Sequence, residues 1–194
     1  MKKFMVAAIA AMTVAFAGPA VEVELAPVTK DFYIGGGIAA YNNYIDGEKD
    51  FFDDTIDSEI SGGLEIKAGY VFYRATDVKV SVEAQAGSSV WSFINDSVDS
   101  PSTYNFAAFI KPEYLITDEA SVYALVGYGR SVVDFDNGFK VSENGFAYGA
   151  GAEYAVTEDV AVYAEYVMLP AFDTEVVGDD VNNDKATIGV SYKF

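Results

Sequence analysis

Cysteine and histidine are both absent from the 194 residues. Their absence removes disulfide frameworks, thiol nucleophiles, histidine general bases, Ser-His-Asp triads and most zinc or copper sites. Basic residues are scarce, 12 against 30 acidic ones, for a net charge of -18. A nucleic-acid partner is therefore excluded, since affinity for phosphate backbones rests on Lys and Arg. After the first 20 residues no run is apolar enough for a membrane helix. Yet 51% of the chain is hydrophobic, with 14 Tyr, 14 Phe and one Trp, which argues against disorder.

The N-terminus reads as an export signal. Met1-Lys2-Lys3 is positive, Phe4 to Phe16 is apolar and Ala-rich, and Ala15-Phe16-Ala17 supplies the small residues of a cleavage site. Residues 1–17 are assigned to a cleaved signal peptide, with Ala20 as an alternative end. Residues 18–30 form a periplasmic lead-in, broken by Pro27.

From Asp31 the chain alternates with period two, the signature of strands, whose successive side chains face opposite ways. In 59–73, Ile60, Leu64, Ile66, Ala68, Tyr70 and Phe72 share the even face, while Glu59, Ser61, Glu65, Lys67 and Tyr73 share the odd one. The same parity holds in strands expected at 31–41, 78–87, 104–114, 121–132, 146–154, 160–168 and 185–194. Short turns at 74–77, 116–120 and 155–159 alternate with long polar loops at 42–58, 94–103, 133–145 and 169–184. Thr76-Asp77, Thr117-Asp118 and Thr157-Glu158 echo one another. The expected fold is all-β: an eight-stranded antiparallel up-and-down barrel over residues 31–194, both its ends on one side.

Such a barrel carries ligands in water if its apolar face points inward, and spans a membrane if that face points outward. Here the even face holds almost no charge, Arg130 being the main exception. The polar odd face is padded with Gly, Ser and Ala, as a crowded lumen requires. Tyr70, Phe72, Tyr114, Tyr154, Tyr192 and Phe194 gather beside the short turns, and Tyr104, Phe106, Tyr128, Phe146, Tyr148 and Tyr166 toward the long loops. These are two interfacial girdles. The band between them suits strands crossing at a tilt, and a sheet in lipid must close to pair its backbone.

The hairpin repeats, the signal and the ending Ile188-Gly-Val-Ser-Tyr-Lys-Phe194 resemble the small bacterial outer-membrane β-barrel superfamily, the group of the OmpA transmembrane domain, OmpX/Ail and the opacity proteins. The resemblance implies that Ile188, Val190, Tyr192 and Phe194 are an assembly signal read by the barrel-insertion machinery. The enzymes of that group rely on His, so no catalytic residue and no cofactor is expected.

Three groups of residues are candidate sites. Glu65, Lys67, Lys79, Glu83, Lys111, Glu113, Glu153, Glu165 and Lys193, with Glu59, lie on the odd face. They read first as an ion-paired plug, since eight strands leave an interior just wide enough for side chains; if the lumen conducts, its excess of acids favours cations. Loops 42–58 and 169–184 are strongly acidic. Asp50, Asp53, Asp54, Asp179 and Asp180 are weak candidates for Ca²⁺ or Mg²⁺, without EF-hand spacing, and a solvated loop is the plainer reading. Tyr41, Tyr44, Phe51, Phe52 and Phe135 read as loop aromatics that anchor at the interface or pack over the barrel mouth, and Trp91 as a structural lumenward residue. Gly35-Gly36-Gly37 lies mid-strand and lacks the Lys-Ser/Thr of a phosphate loop.

The expectation is an outer-membrane protein with periplasmic termini and acidic extracellular loops. Its role is structural or adhesin-like, with a small cation-favouring porin as the alternative. Its partners are outer-membrane lipid, lipopolysaccharide, the assembly machinery and an extracellular ligand, and it is a monomer.

Overall fold

The computed structural model describes residues 31–45, 59–92, 102–134, 140–173 and 180–194. Eight strands follow in chain order: β1 Phe32–Ile45, β2 Glu59–Arg74, β3 Val78–Ser92, β4 Ser102–Leu115, β5 Ala120–Asp134, β6 Lys140–Ala155, β7 Val160–Asp173 and β8 Asp180–Lys193. Each pairs antiparallel with the next, and β8 returns to β1, so the barrel is closed. The signal-peptide and lead-in segments fall outside the described residues.

At one end the turns are tight. Thr117 and Thr157 each place a side-chain oxygen where two backbone amides of the turn meet it: Glu119 and Ala120 donate at 3.2 and 2.9 Å, Asp159 and Val160 at 3.3 and 3.0 Å. A Thr hydroxyl thereby satisfies amides that the ladder has left behind. The turn from Arg74 to Val78 is shorter, with Ala75 N donating to Val78 O at 2.7 Å. Phe194 N donates to Phe32 O at 2.9 Å, which brings both barrel ends to this side.

At the other end the strands run further than their hydrophobic pattern. β1 continues to Ile45, β3 to Ser92 and β7 to Asp173, while β6 begins at Lys140 and β8 at Asp180. The expected loops shrink to 46–58, 93–101, 135–139 and 174–179. In these extensions the outward residues are themselves polar, such as Ser142 and Asn144. The hydrogen-bonded ladder persists where the alternation of polarity has faded. Register shifts occur at Gly62/Gly63, Val71/Tyr73 and Leu169/Phe172.

The parity holds around the barrel. Phe32, Ile38, Ile66, Phe106, Phe146 and Ile188 stand exposed on the outside, Phe146 at 78% and Ile66 at 67%, while Glu65, Lys67, Glu83, Lys111 and Glu165 are buried inside. That inversion of a soluble protein's distribution fits only a hydrocarbon exterior. Phe32–Tyr70 and Tyr192–Phe194 stack at ring distances of 4.7 and 5.1 Å near the tight turns, and Tyr128–Phe146 at 6.0 Å toward the far end.

Candidate functional site: a filled, ion-paired interior

The odd-numbered side chains meet along the barrel axis. Starting from the tight-turn end, Lys79 pairs with Glu113 at 3.0 Å and Lys193 with Glu153 at 2.9 Å. Lys111 lies 3.7 Å from Glu153 and 3.6 Å from Glu83. Lys67 continues the alternation, 3.9 Å from Glu83 and 2.9 Å from Glu165. Gln85 then acts as a splice. Its amide nitrogen donates to Glu83 and Glu165, both at 2.8 Å, and its oxygen accepts from Lys185 at 2.9 Å. Lys185 in turn pairs with Glu65, which also accepts from Thr187 at 3.3 Å.

Tyrosines insulate this chain of charges. The Lys67 ammonium sits 3.2 Å from the centroid of the Tyr163 ring, and Lys111 3.9 Å from that of Tyr123, favourable cation–π placements. Tyr33 donates to Glu83 at 2.5 Å and Tyr123 to Glu165 at 2.9 Å. Each buried tyrosine needs room, and a glycine on a neighbouring strand provides it. Tyr33 faces Gly69, Tyr123 faces Gly151 and Tyr163 faces Gly189 directly in register. A Cβ on Gly69, Gly151 or Gly189 would come within 2.2, 2.5 or 2.5 Å of that ring's Cζ or hydroxyl. Tyr41 lies over Gly63 and Gly87 in the same manner.

The filling is tight. The side chains of Lys67, Glu83, Glu165, Lys185 and Glu65 have no surface accessible to water. Toward the far end the interior turns mainly to uncharged polar groups, with Thr103, Asn105, Ser131 and Asn183 buried and the Asn105 amide donating to the Tyr41 hydroxyl at 3.1 Å.

The nine charged residues singled out on the odd face all line this interior. Glu59 begins β2, and its side chain lies outside what is described. Lys185, Gln85, Tyr33, Tyr123 and Tyr163 also belong to the set and were passed over, although all carry the same odd parity. Lys185 alters the electrostatics. The ion-paired chain matches five glutamates with five lysines, while Glu143 of β6, in register with the buried Ser131, is a further acid on the odd face. Tyr41 is also corrected. It is an interior residue of β1 with no exposure, because β1 extends beyond the expected strand end. Tyr44 and Trp91 are strand residues whose side chains are outside the description; Phe51, Phe52 and Phe135 lie wholly outside it.

Asp50, Asp53, Asp54 and Asp179 fall outside the described residues, and Asp180 opens β8. Among the described residues no group of three carboxylates could hold a metal ion. Ile188, Val190 and Tyr192 project from the outer face of β8, the strand that closes the barrel, and Phe194 follows it. In the Gly35–Gly37 run, a Cβ on Gly37 would meet the Ile188 carbonyl at 2.5 Å, so the glycine answers to close packing against β8.

The sequence profile of the family described as outer membrane protein beta-barrel domain matches residues 6–194. The chain belongs to that family. Membership places it in the bacterial outer membrane, in agreement with the apolar exterior. Among solved structures it is similar to Ail, the attachment invasion locus protein of Yersinia pestis, at 22% identity and a TM-score of 0.59 over 86% of this chain and 100% of that one. The same protein in complex with the heparin analogue sucrose octasulfate aligns at 21% identity and 0.57, with the same coverage. Neisserial surface protein A aligns at 20% identity and 0.56, over 84% of this chain and 97% of that one. At these identities the likeness is one of fold. Comparison with curated proteins finds no significant match.

Proposed function

We propose that this barrel is a non-catalytic, non-conducting scaffold of the outer membrane that presents its acidic inter-strand segments to the cell exterior. One observation carries the reading: the ion-paired middle of the barrel, where five charged side chains retain no water-accessible surface. A cation-favouring pore needs a hydrated path, and the ion-paired, tyrosine-packed interior does not support one. Function therefore resides on the outside, in the lipid-facing wall and in 46–58, 93–101, 135–139 and 174–179.

Segment 46–58 carries Asp46, Glu48, Asp50, Asp53, Asp54 and Asp57 against Lys49. An acidic display of this kind suits a basic protein surface or a diffuse cation layer. It does not suit a sulfated ligand such as the one bound to Ail. The chain reaches its place by export on residues 1–17 and by insertion through its C-terminal pattern of Ile188, Val190, Tyr192 and Phe194. It works as a monomer among lipopolysaccharide molecules, with its termini in the periplasm.

An epitope tag inserted into 46–58 and another at the C-terminus test the arrangement in a Gram-negative host. The first is expected to bind antibody on intact cells, the second only after permeabilisation. The reverse pattern would overturn the reading. Cells displaying the barrel should also retain a basic protein from solution, and neutralising the six acids of 46–58 should abolish that retention.

A further inference from the structure

Arg130 stands on the wrong face for a charge. It is an even-numbered residue of β5, exposed on the lipid-facing side, and the wall below it is apolar. Among the described outward positions the other basic residues are Arg74, next to a tight turn, and Lys140, at the start of β6. Height explains why a cation is tolerated there. A strand tilted about 40° at ~3.3 Å per residue climbs roughly 2.5 Å along the membrane normal per residue. Arg130 follows Ala120, the turn-proximal start of β5, by about ten residues. That distance corresponds to the far edge of an apolar band about 25 Å tall.

The surroundings of Arg130 point to a ligand and not merely to a guanidinium reaching water. Arg130 Nη2 donates to Ser142 Oγ at 3.0 Å, and Ser142 lies one step further from the hydrocarbon on β6, so the head group is turned toward the rim. This bond uses one of the five N–H donors of the guanidinium, and the Ser142 hydroxyl keeps its own proton to give. Asn144, exposed, faces Arg130 directly on β6, and Phe106 faces it on β4. Lys140 follows on the same exposed side, where β6 runs in register with Asp134 of β5. Below this group of donors lie Tyr128 and Phe146, and Phe106 stands beside Arg130, all exposed to the hydrocarbon. The patch has donors and positive charge above and aromatic surface below. Its complement is an amphiphile with an anionic, oxygen-rich head and acyl chains.

We propose that the outer wall of β4, β5 and β6 holds the phosphate of a phosphorylated lipid of the outer leaflet, with Arg130 as its anchor and Ser142 and Asn144 as auxiliary donors. The fork of a guanidinium matches a phosphate in two parallel hydrogen bonds, which a lysine cannot reproduce. The proposal rests on the outward orientation of the far barrel end, and it assigns to one site the lipid contact expected of the whole barrel.

The test uses the refolded mature barrel in phosphatidylcholine nanodiscs doped with diphosphoryl lipid A, read by native mass spectrometry as the ratio of lipid A-bound to bare protein. R130Q should lower that ratio at least about tenfold, as loss of a charge-assisted hydrogen bond requires. S142A should lower it less, and R74Q should leave it unchanged. Fully dephosphorylated lipid A should not be retained, and inorganic phosphate should not displace the lipid. Equal retention of the dephosphorylated lipid, full displacement by inorganic phosphate, or loss of binding in R74Q with R130Q unaffected would each overturn the assignment. If R130Q does not fold, R130K takes its place, expected to bind more weakly than wild type at equal charge; undiminished binding by R130K would reject the fork. Vesicle flotation separates the two levels. Protein that fails to float contradicts the membrane scaffold itself, whereas floating R130Q that binds lipid A as well as wild type contradicts only this site.

Discussion

Lys185 of β8 and Glu65 of β2 form an ion pair across the intervening β1, and neither side chain retains any accessible surface. The pair ties together strands that are not neighbours in the sheet and helps hold the barrel's closing seam from inside. Removing Lys185 leaves Glu65 charged and buried without its counterion, with only the Thr187 hydroxyl bonded to it. K185M is therefore expected to destabilise the vesicle-inserted barrel by about 3 to 5 kcal/mol in urea unfolding. The double variant K185M/E65M should be more stable than K185M. A single variant that costs less than about 1 kcal/mol, within the range of surface pairs, would mean the pair is solvated.

The facing of the strands is checked on one strand. Ile66 is exposed on the outer face of β2 toward mid-membrane, and Phe72 sits on the same face beside the tight turn. Ile66→Arg should cost about 2 to 4 kcal/mol and Phe72→Arg only about 0 to 1, because the penalty falls with distance from the midplane. Equal costs in urea titrations from vesicles would contradict the placement of the membrane.

Glycines that receive tyrosine rings should not tolerate a methyl group. Gly151→Ala places a Cβ 2.5 Å from Tyr123 Cζ and 2.7 Å from the Ala164 carbonyl, whereas Gly36→Ala meets nothing nearer than 3.4 Å. Overpacking of this kind costs about 1 to 3 kcal/mol. Gly36→Ala is expected to be near neutral, and the difference between the two midpoints of unfolding is the measurement.

The sequence exposed the barrel because each strand writes two environments into alternate positions, and a membrane makes those environments opposite. Where both faces are polar, as around Ser142 and Asn144 or at Asn42, the alternation vanishes while the hydrogen bonds continue, so the strand ends were underestimated. The interior was legible as far as charge on the odd face. Lys185 stood at the boundary of its expected strand, and counting it completes the ion pairs of the barrel's middle. The interior tyrosines were hidden for a different reason. Tyr123 and Tyr163 look apolar by composition and blur the parity of β5 and β7, yet inside Tyr123 donates to Glu165 and both rings serve as cation–π platforms. Their glycine partners lie 26 to 36 residues away, in register only once neighbouring strands have paired. Arg130 was visible as an exception from the start, but its meaning depends on Ser142 and Asn144, which belonged to an expected loop.

The central claim is that the barrel is filled, and single-channel recording tests it most directly. Refolded mature protein, shown by flotation and heat-modifiable migration to be inserted and folded, is added to a planar lipid bilayer under a salt gradient. The expected record is electrically silent, because the ion-paired chain from Lys193 to Glu65 leaves no hydrated path. Stable, reproducible conductance steps from the same preparation would contradict the account, and a cation-selective reversal potential would return the barrel to the porins.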